Sequence, residues 1–138
     1  RIACAVYCLW ARATLEGAAQ PWAEAVARFH THAGGDAFLK ADVDHVLDVR
    51  HGDSARGSGY VVDSLWSAKT AVEQTTDYET CVRRAIAFGH DTDTTAAIAG
   101  GIAGVRYGLD GIPARWRDGL HGRDLYPPLV ERLLRRTA

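Results

Sequence analysis

Two aspartates and a threonine stand together in the string Asp91-Thr92-Asp93-Thr94, directly before a long run of alanine and glycine. At the start of a helix the side chains of residues i and i+3 project to the same side, and residue i+2 lies beside them. The two carboxylates and the hydroxyl therefore converge on one point, and all three offer oxygen. Oxygen ligands suit hard divalent cations, so the string predicts a Mg²⁺ or Mn²⁺ site at Asp91, Asp93 and Thr94.

Two other interpretations of this string stay open. Aspartate and threonine are common helix-capping residues, so Asp91 can cap the helix while Thr94 or Thr95 bonds back to the backbone. Phosphatases with an aspartyl nucleophile use a similar Asp-x-Asp-x-Thr string, but there it follows a β-strand. Here residues 85–88 end a helical pattern, which disfavours that class. Two carboxylates at the start of one helix that is rich in alanine and glycine favour a metal site over a plain cap.

The helix that follows these residues consists mainly of small side chains. Between Ala96 and Gly104 only Ile98 and Ile102 are larger than alanine or glycine. A glycine inside a helix costs about 1 kcal/mol in helix propensity. Close packing offsets that cost, because small residues let neighbouring helix backbones approach one another. We therefore expect this segment to be the buried central helix of the fold.

Amphipathic helical patterns with short breaks fill most of the remaining chain. The apolar stripes run through residues 2–13, 22–29, 38–47, 62–72 and 78–86. Gly34-Gly35 ends one helix, and Asp36 and Asp77 each suit the N-cap of the next. No segment alternates in the manner of a strand, and no repeat is present. The sequence predicts an all-α fold and a single domain over residues 1–138.

Three further groups of residues complete the structural expectations. The polar, glycine-rich residues 51–59 predict a loop. The tryptophans on apolar stripes, Trp10, Trp22 and Trp66, are expected in the core. Cys4 and Cys8 lie one helical turn apart and are expected to be small buried hydrophobes. Histidines without metal-ligand spacing are expected at the surface: His30, His32, His45, His51 and His121.

Composition and charge argue against two classes of partner. Sixteen basic and seventeen acidic side chains give a net charge of −1, which does not suit nucleic-acid binding. The basic residues Arg132, Arg135 and Arg136 are typical of a helix C-terminus. No apolar run is long enough to span a membrane. The sequence has no signal-peptide layout and an odd count of three cysteines, so we expect a cytoplasmic protein.

A longer stretch resembles a known family. The string from Gly89 to Gly104 resembles the C-terminal metal motif of the ADP-ribosylglycohydrolase family, which includes the dinitrogenase-reductase-activating glycohydrolases. Three further strings match in order and separation: Ser58-Gly59-Tyr60-Val61-Val62-Asp63-Ser64-Leu65, Tyr107-Gly108-Leu109 and Ile112-Pro113-Ala114-Arg115-Trp116. Together the matching segments cover most of residues 1–120.

The resemblance implies an all-α, orthogonally packed helical fold with a two-metal site for Mg²⁺ or Mn²⁺. It implies hydrolysis of the glycosidic bond between ADP-ribose and a modified protein side chain, often arginine. By the family pattern the metal ligands are Asp91, Asp93 and Thr94, and the ADP-ribose pocket is lined by Ser58, Gly59 and Tyr60. His90 adjoins Asp91 and is therefore a further candidate for substrate contact.

The resemblance also implies further parts of the site. Family members are longer, and their N-terminal half carries a Gly-Asp-Ala-type segment and a Thr-Asp-Asp segment with the remaining metal ligands and the acid/base carboxylate. We expect this chain to correspond to the C-terminal half of that domain, with the N-terminal half or a second copy of the chain as its partner. A non-catalytic module that binds ADP-ribose or an ADP-ribosylated protein is the alternative to a hydrolase.

Overall fold

The fold is described by a computed structural model over residues 1–33, 37–122 and 124–137. Within these residues the regular elements are all helices, which confirms the predicted all-α class: α1 Ile2–Leu15, α2 Pro21–Ala33, α3 Ala37–Val46, α4 Arg50–Asp53, α5 Val61–Glu73, α6 Tyr78–Ile86, α7 Thr92–Gly111, α8 Ala114–Asp118 and α9 Tyr126–Thr137. The predicted break at Gly34-Gly35 and the predicted cap at Asp36 lie outside the described residues.

Three tryptophans form the centre of the core between α1, α2 and α5. The Trp22 ring meets Trp10 and Trp66 edge to face, with a centroid distance of 5.3 Å in each pair. Trp10 and Trp66 are only 2% and 4% exposed. The Lys69 ammonium lies 5.4 Å from the Trp22 centroid and 5.3 Å from the Trp66 centroid, within reach of a cation–π interaction. The prediction that these tryptophans are core residues is confirmed for Trp10 and Trp66, while Trp22 is half-buried.

The prediction that Cys4 and Cys8 are buried is wrong, because both are exposed. The buried stripe of α1 passes through Val6 and Trp10. Consecutive residues of a helix are about 100° apart around its axis, so the two cysteines fall on the neighbouring side. There they line a shallow apolar groove with Ala3, Tyr7, Val61, Leu65 and Ile98.

Helix α7 is buried along one side only. Its buried residues are Thr95, Ala99, Ile102 and Ala103, whereas Gly101 and Val105 are exposed. A Cβ at Gly100 would lie 3.3 Å from the hydroxyl of Tyr78 in α6, and a Cβ at Gly101 would collide with the hydroxyl of Tyr7 in α1. Close packing therefore explains these two glycines, as predicted, and the predicted burial of the helix holds along the side that carries its four buried residues.

The residues that follow α7 lie at the surface. A positive φ of 70° at Gly108 kinks α7 near its end. In α8, Trp116 packs against Tyr78 with a centroid distance of 6.0 Å, and Arg115 forms an ion pair with Glu79 of α6. Every residue from 126 to 135 in α9 is exposed. The C-terminal helix is thus regular but contributes no buried side chain among these residues.

The segment predicted to be a loop over residues 51–59 begins with a helical turn, α4. Asp48 supports this turn, because its Oδ1 accepts a hydrogen bond from the backbone N–H of Arg50 at 3.0 Å. Residues 54–60 contain no helix or strand, so the loop prediction is right there. Hereafter the six residues before α5 are called the 55–60 loop.

Two further expectations concern function classes. The segment before Asp91 belongs to α6 and the turn after it, so the strand that an aspartyl phosphatase requires is not present there. No helix among the described residues combines the length and the apolar character needed to cross a membrane.

Candidate functional site

Asp91 is the N-cap of α7. Its Oδ1 accepts a hydrogen bond from the backbone N–H of Thr94 at 3.4 Å. Hydrogen bonds from the side chain and from the backbone N–H of Thr94 lower the pKa of Asp91 below its ordinary value. Asp91 is half-buried, and Asp93 and Thr94 are exposed. The capping interpretation is therefore right for Asp91, while a metal site at Asp91, Asp93 and Thr94 stays a prediction.

A sharp turn delivers the chain from α6 to this helix start. Gly89 and His90 both have positive φ, 81° and 46°. A residue with a Cβ is rarely found in this region and is strained there, so the turn is held by its surroundings. The side chain of His90 is exposed beside Asp91.

The 55–60 loop docks directly on Asp91. The backbone N–H of Asp91 donates to the carbonyl oxygen of Gly57 at 2.9 Å. A Cβ at Gly59 would lie 2.7 Å from Oδ2 of Asp91, and a Cβ at Gly57 would lie 2.7 Å from the Cβ of Phe88. Gly57 also has a φ of 71°. Both glycines are needed because any side chain would push the loop away from the start of α7.

Asp63 in the first turn of α5 holds the loop from the other side. Its two carboxylate oxygens accept backbone N–H groups of Arg56 at 3.0 Å and of Ser58 at 2.5 Å. Burial raises the pKa of Asp63, but the hydrogen bonds from Ser58 and Arg56 outweigh it, so the pKa lies below its ordinary value. The carboxylate of Asp63 therefore holds the 55–60 loop against α5 through two hydrogen bonds.

Two buried serines of α5 also form hydrogen bonds to the 55–60 loop. The hydroxyl of Ser67 accepts the backbone N–H of Gly57 at 2.9 Å, and the hydroxyl of Ser64 donates to the carbonyl oxygen of Ser58 at 2.8 Å. Sequence reasoning assigned no role to Asp63, Ser64 or Ser67. Their signal was present, because polar residues on the buried side of an otherwise apolar helix need hydrogen-bond partners.

Tyr60 lies at the outer edge of the loop. It is the N-cap residue of α5 and is 55% exposed. Its hydroxyl lies 3.0 Å from Nε2 of His45, a residue that sequence reasoning left without a role. Ser58, Gly59 and Tyr60 thus lie between Asp91 on one side and His45 on the other.

The donor atoms at the start of α7 fit part of a divalent-cation shell. Asp91, Asp93 and Thr94 present only oxygen, and neither carboxylate forms an ion pair with a basic side chain of the described residues. Mg²⁺ requires an octahedral shell, which three residues fill only in part. No group of three or more histidine, cysteine, aspartate and glutamate side chains with metal-binding geometry is found in the described part of the chain.

One family profile covers the whole of this chain, and known proteins are similar to parts of it. A sequence profile described as ADP-ribosylglycohydrolase matches residues 1–138. The ADP-ribosyl-[dinitrogen reductase] glycohydrolase of Rhodospirillum rubrum is 32% identical over 142 residues, which covers 85% of this chain and 46% of that protein. The ADP-ribosylarginine hydrolase Tri1 of Serratia proteamaculans (strain 568) is 40% identical over 81 residues, which covers 59% of this chain and 22% of that protein.

A vertebrate protein is similar over a shorter stretch. The ADP-ribosylhydrolase ARH3 of Danio rerio is 44% identical over 55 residues, 40% of this chain and 15% of that protein. The chain therefore spans less than half the length of each of these relatives. No solved structure matches it.

Proposed function

The chain belongs to the ADP-ribosylglycohydrolase family, and from that premise we propose that it forms part of a site that hydrolyses the glycosidic bond between ADP-ribose and a modified protein side chain. Arginine is the first candidate, because one relative is named an ADP-ribosylarginine hydrolase. One observation carries the proposal: the 55–60 loop docks on Asp91, with the Asp91 N–H bonded to the Gly57 carbonyl. This contact supports a common site for the residues of the 55–60 loop and the carboxylate of Asp91.

Asp91, Asp93 and Thr94 are the residues that would hold Mg²⁺ or Mn²⁺, with two ions in the complete site. Bound divalent ions orient hydroxyl groups and water and stabilise the charge that develops as the glycosidic bond breaks. The N-terminus of α7 carries a partial positive charge that favours the ionised form of the Asp91 carboxylate. Asp91 is held in place by its capping bond.

Ser58, Gly59 and Tyr60 are the residues proposed to bind ADP-ribose. Gly59 leaves the backbone open to close approach because it has no Cβ. The exposed ring of Tyr60 offers a flat apolar face with a polar tip, which suits a base or a ribose. The exposure of His90 beside Asp91 supports a contact with a ligand held at the carboxylates.

Counting bound Mn²⁺ by electron paramagnetic resonance tests the metal site. We expect Asp91→Asn and Asp93→Asn each to abolish tight binding while helical content stays near that of the unaltered chain. Asp77→Asn is the matched control, because Asp77 caps α6 through the Thr80 N–H at 2.9 Å in the same way but has no place in the proposed site. Unchanged Mn²⁺ affinity in both Asp91→Asn and Asp93→Asn would overturn the metal assignment.

The number of ions per chain separates two forms of the proposal. Two tight ions per chain would support a site that is complete in the assembled protein, including an assembly of two copies, and release of ADP-ribose from ADP-ribosyl-arginine is then expected. One weak ion would support a site that needs ligands from another polypeptide. Absence of ADP-ribose release by the complete assembly would contradict the hydrolase proposal.

A non-catalytic module that binds ADP-ribose or ADP-ribosylated proteins is the second candidate. It is favoured by the small donor set, since the described residues contain no group of three or more ligating histidine, cysteine, aspartate and glutamate side chains. Binding of ADP-ribose that depends on Tyr60 but is never followed by turnover would identify this second function.

A further inference from the structure

His45 connects the end of α3 to the proposed substrate loop. Its Nε2 lies 3.0 Å from the hydroxyl of Tyr60, and the two ring centroids are 6.5 Å apart. Either the hydroxyl donates to Nε2 or Nε2–H donates to the hydroxyl, depending on the tautomer. In both cases this bond fixes the direction of a tyrosine ring that is otherwise 55% exposed.

His45 is itself held in place by two neighbours. The Nε2–H of His51 donates to the backbone carbonyl of His45 at 2.8 Å, and the two imidazole rings meet edge to face at 5.0 Å. The next carbonyl, that of Val46, accepts the indole N–H of the buried Trp66 at 2.8 Å. The end of α3 is therefore anchored to the core, and the Tyr60 partner has a defined position.

We propose that His45 is a positioning residue for ADP-ribose, acting by holding the Tyr60 ring in its binding orientation. This inference rests on the proposed function, because it assumes that Tyr60 contacts ADP-ribose. An exposed tyrosine without a partner for its hydroxyl samples several rotamers, and binding must then fix one of them at an entropic cost. A ring that is already held gives tighter binding because that cost is met before the ligand arrives.

The test is a double-mutant cycle on ADP-ribose affinity, measured by calorimetry with the full chain. A side-chain hydrogen bond of this kind typically changes an equilibrium by about three- to tenfold. We expect His45→Ala and Tyr60→Phe each to weaken ADP-ribose binding by about that factor. The double variant is expected to bind no more weakly than either single variant, because both remove the same bond.

Conservative substitutions separate positioning from a general loss of structure. Glutamine places an amide near the position of Nε2 and either donates or accepts, so His45→Gln is expected to restore most of the affinity. Asparagine is shorter and leaves the hydroxyl without a partner, so His45→Asn should resemble His45→Ala. His32→Ala is the matched control, since His32 is an exposed histidine whose ring bonds to its own helix, at the Arg28 carbonyl.

The possible failures have different meanings. Additive losses in the double variant, or a His45→Gln variant as weak as His45→Ala, would overturn the role of His45 while Tyr60→Ala still shows that the tyrosine binds ligand. If His45→Ala and Tyr60→Ala both bind ADP-ribose as tightly as the unaltered chain, the assignment of Tyr60 itself is overturned. A complete assembly that does not bind ADP-ribose at all would overturn both the proposed function and this inference.

Discussion

The 55–60 loop and helix α9 differ in a way that secondary structure alone would not suggest. The loop has no regular structure, yet its backbone groups bond to Asp63, Ser64 and Ser67 of α5 and to Asp91 at the start of α7. Helix α9 is regular over 12 residues, yet every residue from 126 to 135 is exposed. We therefore expect local stability in this protein to depend on buried partners more than on helical hydrogen bonds.

The largest effect is expected at the glycine that docks the loop. Gly57→Ala combines a left-handed backbone, which costs about 1–2 kcal/mol, with a collision at Phe88 that adds about 1–3 kcal/mol of overpacking. Gly17→Ala is the control, because Gly17 has a similar φ of 73° but a Cβ added there would meet nothing within 4 Å. Urea denaturation should show a clearly larger loss of unfolding free energy for Gly57→Ala. Equal losses would mean that the loop is not tightly docked.

The next effect concerns Asp63, whose carboxylate accepts hydrogen bonds from the backbone of the 55–60 loop. Asp63→Asn weakens two hydrogen bonds to a charged acceptor, and we expect a loss of about 1.5–3 kcal/mol in unfolding free energy. Denaturation at neutral pH measures this loss. The exposed Asp53 of α4 provides the matched control, and Asp53→Asn is expected to change stability little.

Acid titration sharpens the same prediction. The pKa of Asp63 in the folded chain lies below its ordinary value of 3.8, so its contribution to stability is present above that pH and is lost as the pH falls through the folded pKa. Asp63→Asn should therefore lose less stability than the unaltered chain over this acid range. If the stability of the two proteins falls in parallel over this acid range, the proposed role of Asp63 in holding the loop is contradicted.

A gain in stability is expected at one buried hydroxyl near the site. Oγ1 of Thr95 is buried and has no hydrogen-bond partner among the described residues. Such a group costs about 1–3 kcal/mol, so Thr95→Val should raise the unfolding free energy by about 1 kcal/mol. Thr94→Val is the neighbouring comparison: it removes a hydrogen bond to Asp91, so it should not raise the unfolding free energy, and it should weaken Mn²⁺ binding. A destabilised Thr95→Val variant would show that the hydroxyl has a partner after all.

The smallest effect is expected in α9. Leu129 is 61% exposed, and a surface substitution such as Leu129→Ser should change stability by no more than about 0.5 kcal/mol. Leu65→Ala in α5, where the side chain is 3% exposed, should cost about 2–5 kcal/mol. Hydrogen exchange offers a second measurement, since the amides of Gly57, Ser58 and Asp91 should be better protected than those of α9. The reverse order of protection would contradict the comparison.

The sequence predicted those features that depend on neighbouring residues. Asp77 caps α6 and Asp91 caps α7, because capping needs only an acceptor within three residues of the N–H it satisfies. The position of Asp91, Asp93 and Thr94 at the start of α7 follows from the same local geometry. The small residues of α7 likewise predicted close packing, and the side chains that pack against its glycines are those of Tyr7 and Tyr78.

Features that depend on distant residues were not predictable in the same way. The contact between Gly57 and Asp91 joins residues 34 positions apart in sequence, and nothing local to either one requires it. The exposure of Cys4 and Cys8 depends on which neighbouring helix covers each side of α1. His45 and Tyr60 meet only because α3 ends beside α5, so the histidine pattern alone left His45 as an ordinary surface residue.

The tryptophan cluster gives this chain a built-in optical probe. Trp10, Trp22 and Trp66 lie close enough, with 5.3 Å between successive rings, for their electronic transitions to couple, and the near-ultraviolet circular dichroism signal should report how α1, α2 and α5 pack. Trp116 stands apart from them on α8, beside Tyr78. A Trp116→Phe variant would therefore leave an emission spectrum that comes from the core alone, and loosening of that core would be visible without any label.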